Sequence, residues 1–204
     1  MKKFIMCCPL QGKFDLNETL YKPIENEKLK YKETRFPVIP LINGYVECGE
    51  KICLLLIRTK REATERNKCF LEQELDILKK EKNIDVELCE IFTDDSEDIK
   101  TQLKLFIDII SKISDGDELY ACMTYGTKPT PIIEMMALNY GYRALNNISI
   151  GAIVYGLYHH EKDMDYGEIF DITALFYMDE MVNKIAAMGV EDPETLLKEF
   201  MGMI

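Results

Sequence analysis

Positive charge is scarce in this chain: 25 Lys and Arg stand against 36 Asp and Glu, a formal net charge of −11. Nucleic-acid backbones reward clustered basic side chains, so no general affinity for DNA is expected. Histidine is nearly absent, with only His159 and His160, which are adjacent. None of the seven cysteines forms a C-x-x-C pair. That is poor material for a zinc centre, and no metal is expected. Cys7, Cys8, Cys53, Cys89 and Cys122 lie in or beside apolar runs and read as small core residues of a reducing compartment. No apolar run approaches membrane-spanning length, and the stretch after Lys2 and Lys3 is too short for a signal peptide. A cytoplasmic protein without membrane contact is therefore expected. The G-x-G-x-x-G fingerprint and the Walker lysine motif are both missing, so no organic cofactor is expected either.

What is present suits one domain. The chain has 204 residues, 47% of them hydrophobic, enough to bury a sizeable core. Short apolar runs read as six strands: Lys3 to Cys8, Ile52 to Ile57, Ile84 to Phe92, Leu119 to Met123, Ser149 to Tyr155 and Ile169 to Ile172. Helical patterns separate them. One spans residues 62 to 82 with Phe70, Leu71, Leu75 and Leu78 on one face; another carries Ile99, Leu103, Phe106, Ile107 and Ile110. Asp94, Asp95 and Ser96 supply start signals for that second helix, and Asp192-Pro193 opens a last short one. Residues 14 to 45, with Pro23, Pro37 and Pro40, read as irregular. The expectation is an α/β, Rossmann-like fold: a mostly parallel six-stranded sheet with helices on both faces.

In such sheets ligands bind beyond the carboxyl ends of the strands. Two turns qualify. The first, Pro9-Leu10-Gln11-Gly12-Lys13, follows the first strand. The second runs Thr124-Tyr125-Gly126-Thr127-Lys128-Pro129 between an apolar strand and an apolar helix. Turn amides and a helix start favour an anion. Thr124, Thr127 and Thr130 add hydroxyls, and Lys128 adds positive charge.

Three stretches together carry a family resemblance: Thr124-Tyr-Gly-Thr-Lys-Pro-Thr-Pro131, Ile153-Val-Tyr-Gly156 and Asp171-Ile-Thr173. In order and spacing the chain resembles the CARF domains of type III CRISPR systems, in their TM1812-like branch, over roughly residues 3 to 188. Met123 and Thr124-Tyr125-Gly126 stand where the family usually has an acidic residue and Thr-His-Gly. The likeness therefore concerns architecture and turn chemistry more than identity. It implies a homodimeric ligand-sensing domain, here residues 1–190, followed by a short C-terminal helix in 191–204. The implied ligand is a cyclic oligoadenylate, the tetra-adenylate most commonly and the hexa-adenylate next, held across a two-fold axis. The ligand contacts so implied are Pro9, Leu10, Gln11, Gly12, Lys13, Arg35, Thr124, Tyr125, Gly126, Thr127, Lys128, Pro129, Tyr155 and Gly156.

The family usually joins this sensor to an effector. No Arg lies within six residues before His159, and the sequence after residue 188 is too short for a fused nuclease. A stand-alone sensor or a ring nuclease remains. Ring cleavage needs no metal: a ribose 2′-OH attacks the neighbouring phosphate in line. Lys128 and Thr127 are the candidate charge stabilisers and Gln11 the candidate 2′-OH orienter. His159-His160 reads first as an exposed loop pair. The competing class is a Rossmann-type nucleotide or cofactor enzyme unrelated to CRISPR, with a ligand-free structural subunit as a third.

Overall fold

The computed structural model describes residues 1–11, 16–30, 32–160 and 165–202. Gly12 and Lys13 lie outside the described residues. Along the chain come β1 (Lys2–Cys7), β2 (Thr19–Ile24), β3 (Lys32–Thr34), α1 (Val38–Tyr45), β4 (Lys51–Arg58), α2 (Glu62–Lys82) and β5 (Asp85–Phe92). Then follow α3 (Ile99–Ile110), β6 (Glu118–Cys122), α4 (Pro129–Ala144), β7 (Ser149–His160), β8 (Asp165–Asp171), α5 (Thr173–Met188) and α6 (Pro193–Phe200).

One mixed sheet of eight strands takes the order β3-β2-β8-β7-β6-β1-β4-β5. Its middle, β5-β4-β1-β6-β7, is parallel throughout. That is the doubly wound order, with its switch point at β1 and β6. β8 turns back antiparallel on β7, β2 joins β8 in parallel, and β3 closes that edge antiparallel to β2.

Side-chain alternation along β1 shows why both faces are covered. Phe4 and Met6 point into a core shared with α1 and α2. Ile5 and Cys7 point the other way, into a core shared with α3, α4 and α5. All four are buried. A fully buried Phe, Met or Ile contributes about 1.5–3 kcal/mol of transfer free energy, so a strand apolar on both faces has no stable place at a solvated edge. Phe4 also stacks on Tyr120 of β6 at 4.5 Å between ring centroids, fixing β1 against its neighbour.

Six strands were expected and eight are found, because residues 14–45 are not irregular throughout. β2 alternates in burial, with Thr19 and Tyr21 inward and Leu20 and Lys22 outward, but Lys22 and Pro23 mask the apolar signal. In α1 the prolines do not break the helix. Pro37 is the N-cap and Pro40 lies in the first turn, where a missing N–H leaves no hydrogen bond unmade.

Candidate functional site

β1 and β6 are adjacent, with Met6 opposite Cys122, so the two turns leave the sheet side by side. Leu10 from the first turn and Thr127 from the second line one cleft of about 180 Å³.

The turn after β6 is built by short-range contacts. Met123 extends the ladder by donating to the Val154 carbonyl at 2.8 Å. Gly126 then adopts φ +112°, where a Cβ would lie 2.9 Å from that of Thr130. Glycine is required there on both counts. Lys128 is the N-cap of α4 and Pro129 its first residue. The helix start is a weaker anion site than the sequence suggests: Pro129 and Pro131 have no N–H, and the Thr130 amide already donates to the Thr127 carbonyl at 3.0 Å. The donors left over come from the turn. The amides of Gly126, Thr127 and Lys128 make no hydrogen bond to any described residue. The Lys128 side chain is exposed and pairs with no described acid. The Thr127 and Thr130 hydroxyls lie 3.2 Å apart.

Other expected ligand residues divide into those near this turn and those committed elsewhere. Thr124 accepts from the Gly156 amide at 2.9 Å. A Cβ on Gly156 would sit 2.5 Å from Pro37 Cγ, so only glycine lets β7 pass this close. Tyr155 is exposed. The Tyr125 hydroxyl donates to the Arg35 carbonyl at 2.7 Å, and burial drives its phenol pKa upward, which keeps it a neutral donor. Arg35 reaches the turn through its main chain alone. Its guanidinium is paired with Glu18 and Glu74, donates to the Leu16 carbonyl and lies over Phe70. In the first turn, α2 anchors the main chain: Asn67 donates to the Pro9 carbonyl at 2.9 Å and Arg66 to the Gln11 carbonyl at 3.2 Å. The Gln11 side chain is left exposed.

Asp171-Ile-Thr173 is a structural clasp. Asp171 accepts from the Thr173 amide at 2.9 Å, and the Thr173 hydroxyl accepts from the Ile153 amide at 2.8 Å. His159 is not in a loop. β7 continues through it, its imidazole lies 2.9 Å from Glu168 on β8, and it stacks on Tyr166 at 4.6 Å. The β7–β8 hairpin thus holds the imidazole against its own strands.

The cleft holds residues that the sequence did not assign to a ligand site. Arg58 lines it at the end of β4, Thr59 and Arg61 just after, Thr93 to Glu97 after β5, and Gln102 and Leu105 on α3. Asp98, rather than Asp94 or Asp95, caps α3, accepting from the Thr101 amide at 2.9 Å. Asp95 instead pairs with Arg61 at 2.7 Å, and buried Arg58 pairs with Glu65 at 2.8 Å and with Glu90. Cys7 reaches the cleft with its thiol pKa driven well up by burial, which favours the neutral thiol. Glu134 on α4 is fully buried, neither carboxyl oxygen is hydrogen-bonded to a described residue, and desolvation drives its pKa well up. No motif marks a glutamate at that position in an otherwise apolar helix face.

Among the described residues, no group of three or more His, Cys, Asp or Glu is placed to hold a metal ion. No described helix is long and apolar enough to cross a membrane. No family model matches the chain. Over 88 residues, 43% of its length, it is 25% identical to a CRISPR-associated protein of Methanocaldococcus jannaschii. The match spans 14% of that relative's length.

Proposed function

We propose that this chain is an accessory protein of type III CRISPR immunity that binds a cyclic oligoadenylate, the cyclic tetra-adenylate foremost, across a homodimer. Residues 1–190 form the ligand-sensing domain and 191–204 an appended helix. The observation that carries this reading is the pairing of the β1 and β6 turns at the switch point, with three turn amides and Lys128 left without partners among the described residues. The partial likeness to a CRISPR-associated protein supports the biological setting.

A ring of identical nucleotides presents equivalent halves to two equivalent subunits. The turn amides and Lys128 of each chain face phosphates, and Gln11 faces a 2′-OH. A net charge of −11 opposes a polyanion at long range, so the attraction is local to the turns. An apolar face next to the turn supports the dimer. Ile99, Leu103 and Ile107 on α3 and Ile132, Met136 and Tyr140 on α4 are exposed, at four-residue spacing on two helices that pack together.

Bound between the turns, the ring is positioned for slow self-cleavage. The 2′-oxygen attacks phosphorus and loses its proton to water. The bond to the 5′-oxygen breaks, and that oxygen takes up a proton. The products are linear, with a 2′,3′-cyclic phosphate at one end and a 5′-OH at the other. Lys128 and the Gly126 and Thr127 amides stabilise the added negative charge.

Calorimetric titration tests the binding geometry. One ring per two chains is expected, and one ring per chain would rule out the shared site. Labelled ring incubated with excess protein in EDTA tests cleavage. Linear product is expected, and an intact ring after long incubation would leave a sensor alone.

A further inference from the structure

We infer that Arg61 is a further phosphate-binding residue of the ring site, and that Asp95 occupies its guanidinium until the ring displaces it. This deepens the ring-binding reading and rests on it.

The first observation is placement. Arg61 and Asp95 line the same cleft as Leu10 of the first turn and Thr127 and Thr130 of the second. Arg61 follows β4 and Asp95 follows β5, the two strands next to β1 on that side of the sheet. Their contact, Nε to Oδ2 at 2.7 Å, ties the two loops together beside the turns.

The second is freedom to move. Two arginines line the cleft, and they differ. Arg58 is buried, pairs with Glu65 and Glu90 and donates to the Thr59 carbonyl, so it is fixed. The Arg61 and Asp95 side chains are 52% and 45% exposed. An ion pair this open to water is weak, so exchanging its acid for another anion costs little. A phosphate diester offers a guanidinium the same two-oxygen edge that a carboxylate does.

The third is the place of Arg61 on its helix. It is the N-cap residue of α2, and its side chain makes no capping hydrogen bond. A cation at the positive end of a helix dipole does not stabilise the helix, so α2 gives no reason for an arginine there. The charge calls for an anion. Asp95 supplies it in the free chain, and a ring phosphate supplies it in the complex. Asp94 and Glu97 also line the cleft, but both are exposed, and water and salt screen their repulsion.

Titrations of cyclic tetra-adenylate into four chains test this. Arg61→Ala is expected to weaken binding about tenfold relative to wild type. Asp95→Asn, which releases the guanidinium, is expected to tighten it about two- to fivefold. Added to Arg61→Ala, Asp95→Asn should bring no gain. Unchanged affinity in Arg61→Ala overturns the proposal while leaving ring binding intact. An equal gain from Asp95→Asn with and without Arg61 reduces the effect to a lost charge and overturns the exchange. A second measurement covers the case in which no ring binds. Inorganic phosphate titrated at constant ionic strength should shift the Arg61 Nε–H signal in an NMR spectrum, at lower concentration in Asp95→Asn than in wild type. No shift in either chain overturns the proposal. Failure of the ring to bind, with phosphate still shifting Arg61, overturns the ring reading alone.

Discussion

The Gly156 amide donates to the Thr124 hydroxyl at 2.9 Å, so β7 and the turn after β6 are locked together. Replacing either partner should loosen both. Gly156→Ala forces a methyl to within 2.5 Å of the rigid Pro37 ring and should cost about 1–3 kcal/mol. Thr124→Val removes the acceptor and leaves the amide unpaired, with a loss of about 1–3 kcal/mol. Thr124→Ser should stay near wild type. Urea denaturation reads all three, and an unshifted midpoint in Gly156→Ala would contradict the close approach.

Lys128 is exposed and pairs with no described acid, so its loss should leave folding untouched. Lys128→Ala should weaken cyclic tetra-adenylate binding about tenfold and flatten its dependence on salt. Titrations at two salt concentrations check both effects. Equal affinity would remove Lys128 from the site.

Glu134 gives a pH signature. Desolvation raises its folded pKa well above the ordinary carboxyl value of 4.5, so the folded chain holds a proton that the unfolded chain releases. This group's contribution is complete below the unfolded pKa and is lost as pH rises toward the folded one. Its contribution therefore falls as pH rises above the unfolded value. Glu134→Gln cannot titrate, so its stability relative to wild type should rise with pH. A gap that stays constant from pH 5 to 8 would show that Glu134 is not neutral in the fold. Glu134→Met, which removes the two unpaired oxygens, should be more stable than wild type at pH 7.

The apolar stripes of α3 and α4 should hold the dimer together. Ile132 is 63% exposed, and Ile132→Lys with Met136→Lys should convert dimer to monomer in sedimentation without unfolding the chain. A variant that remains dimeric would place the interface elsewhere.

Much of the architecture was legible from apolar runs. Ile52 to Ile57, buried on both faces, announced β4, and the stripe through Leu71, Leu75 and Leu78 announced α2. β2 and α1 were hidden because their own residues carry contrary signals: Lys22 and Pro23 in one, Pro40 and Gly44 in the other. Tertiary context overrides both, since an alternating strand needs only one buried face and a first-turn proline needs no hydrogen bond. The β6 turn was legible because a glycine at positive φ and a proline at a helix start leave marks in sequence. The cleft was not. Gln102 and Arg58 lie 44 residues apart and meet only because β4 and α3 converge at one end of the sheet. The fate of Arg35 was equally hidden, since Glu74, which neutralises it, comes from α2.

The most direct test of ring binding is the melting temperature of the chain with cyclic tetra-adenylate, cyclic hexa-adenylate, NAD or ATP. At a hundred times its dissociation constant a specific ligand adds about 2.7 kcal/mol, a rise of several degrees for a chain of this size. The expected result is a concentration-dependent rise with a cyclic oligoadenylate, the tetra-adenylate foremost, and none with NAD or ATP. A melting temperature unmoved by both rings and raised by NAD or ATP would contradict a cyclic oligoadenylate sensor.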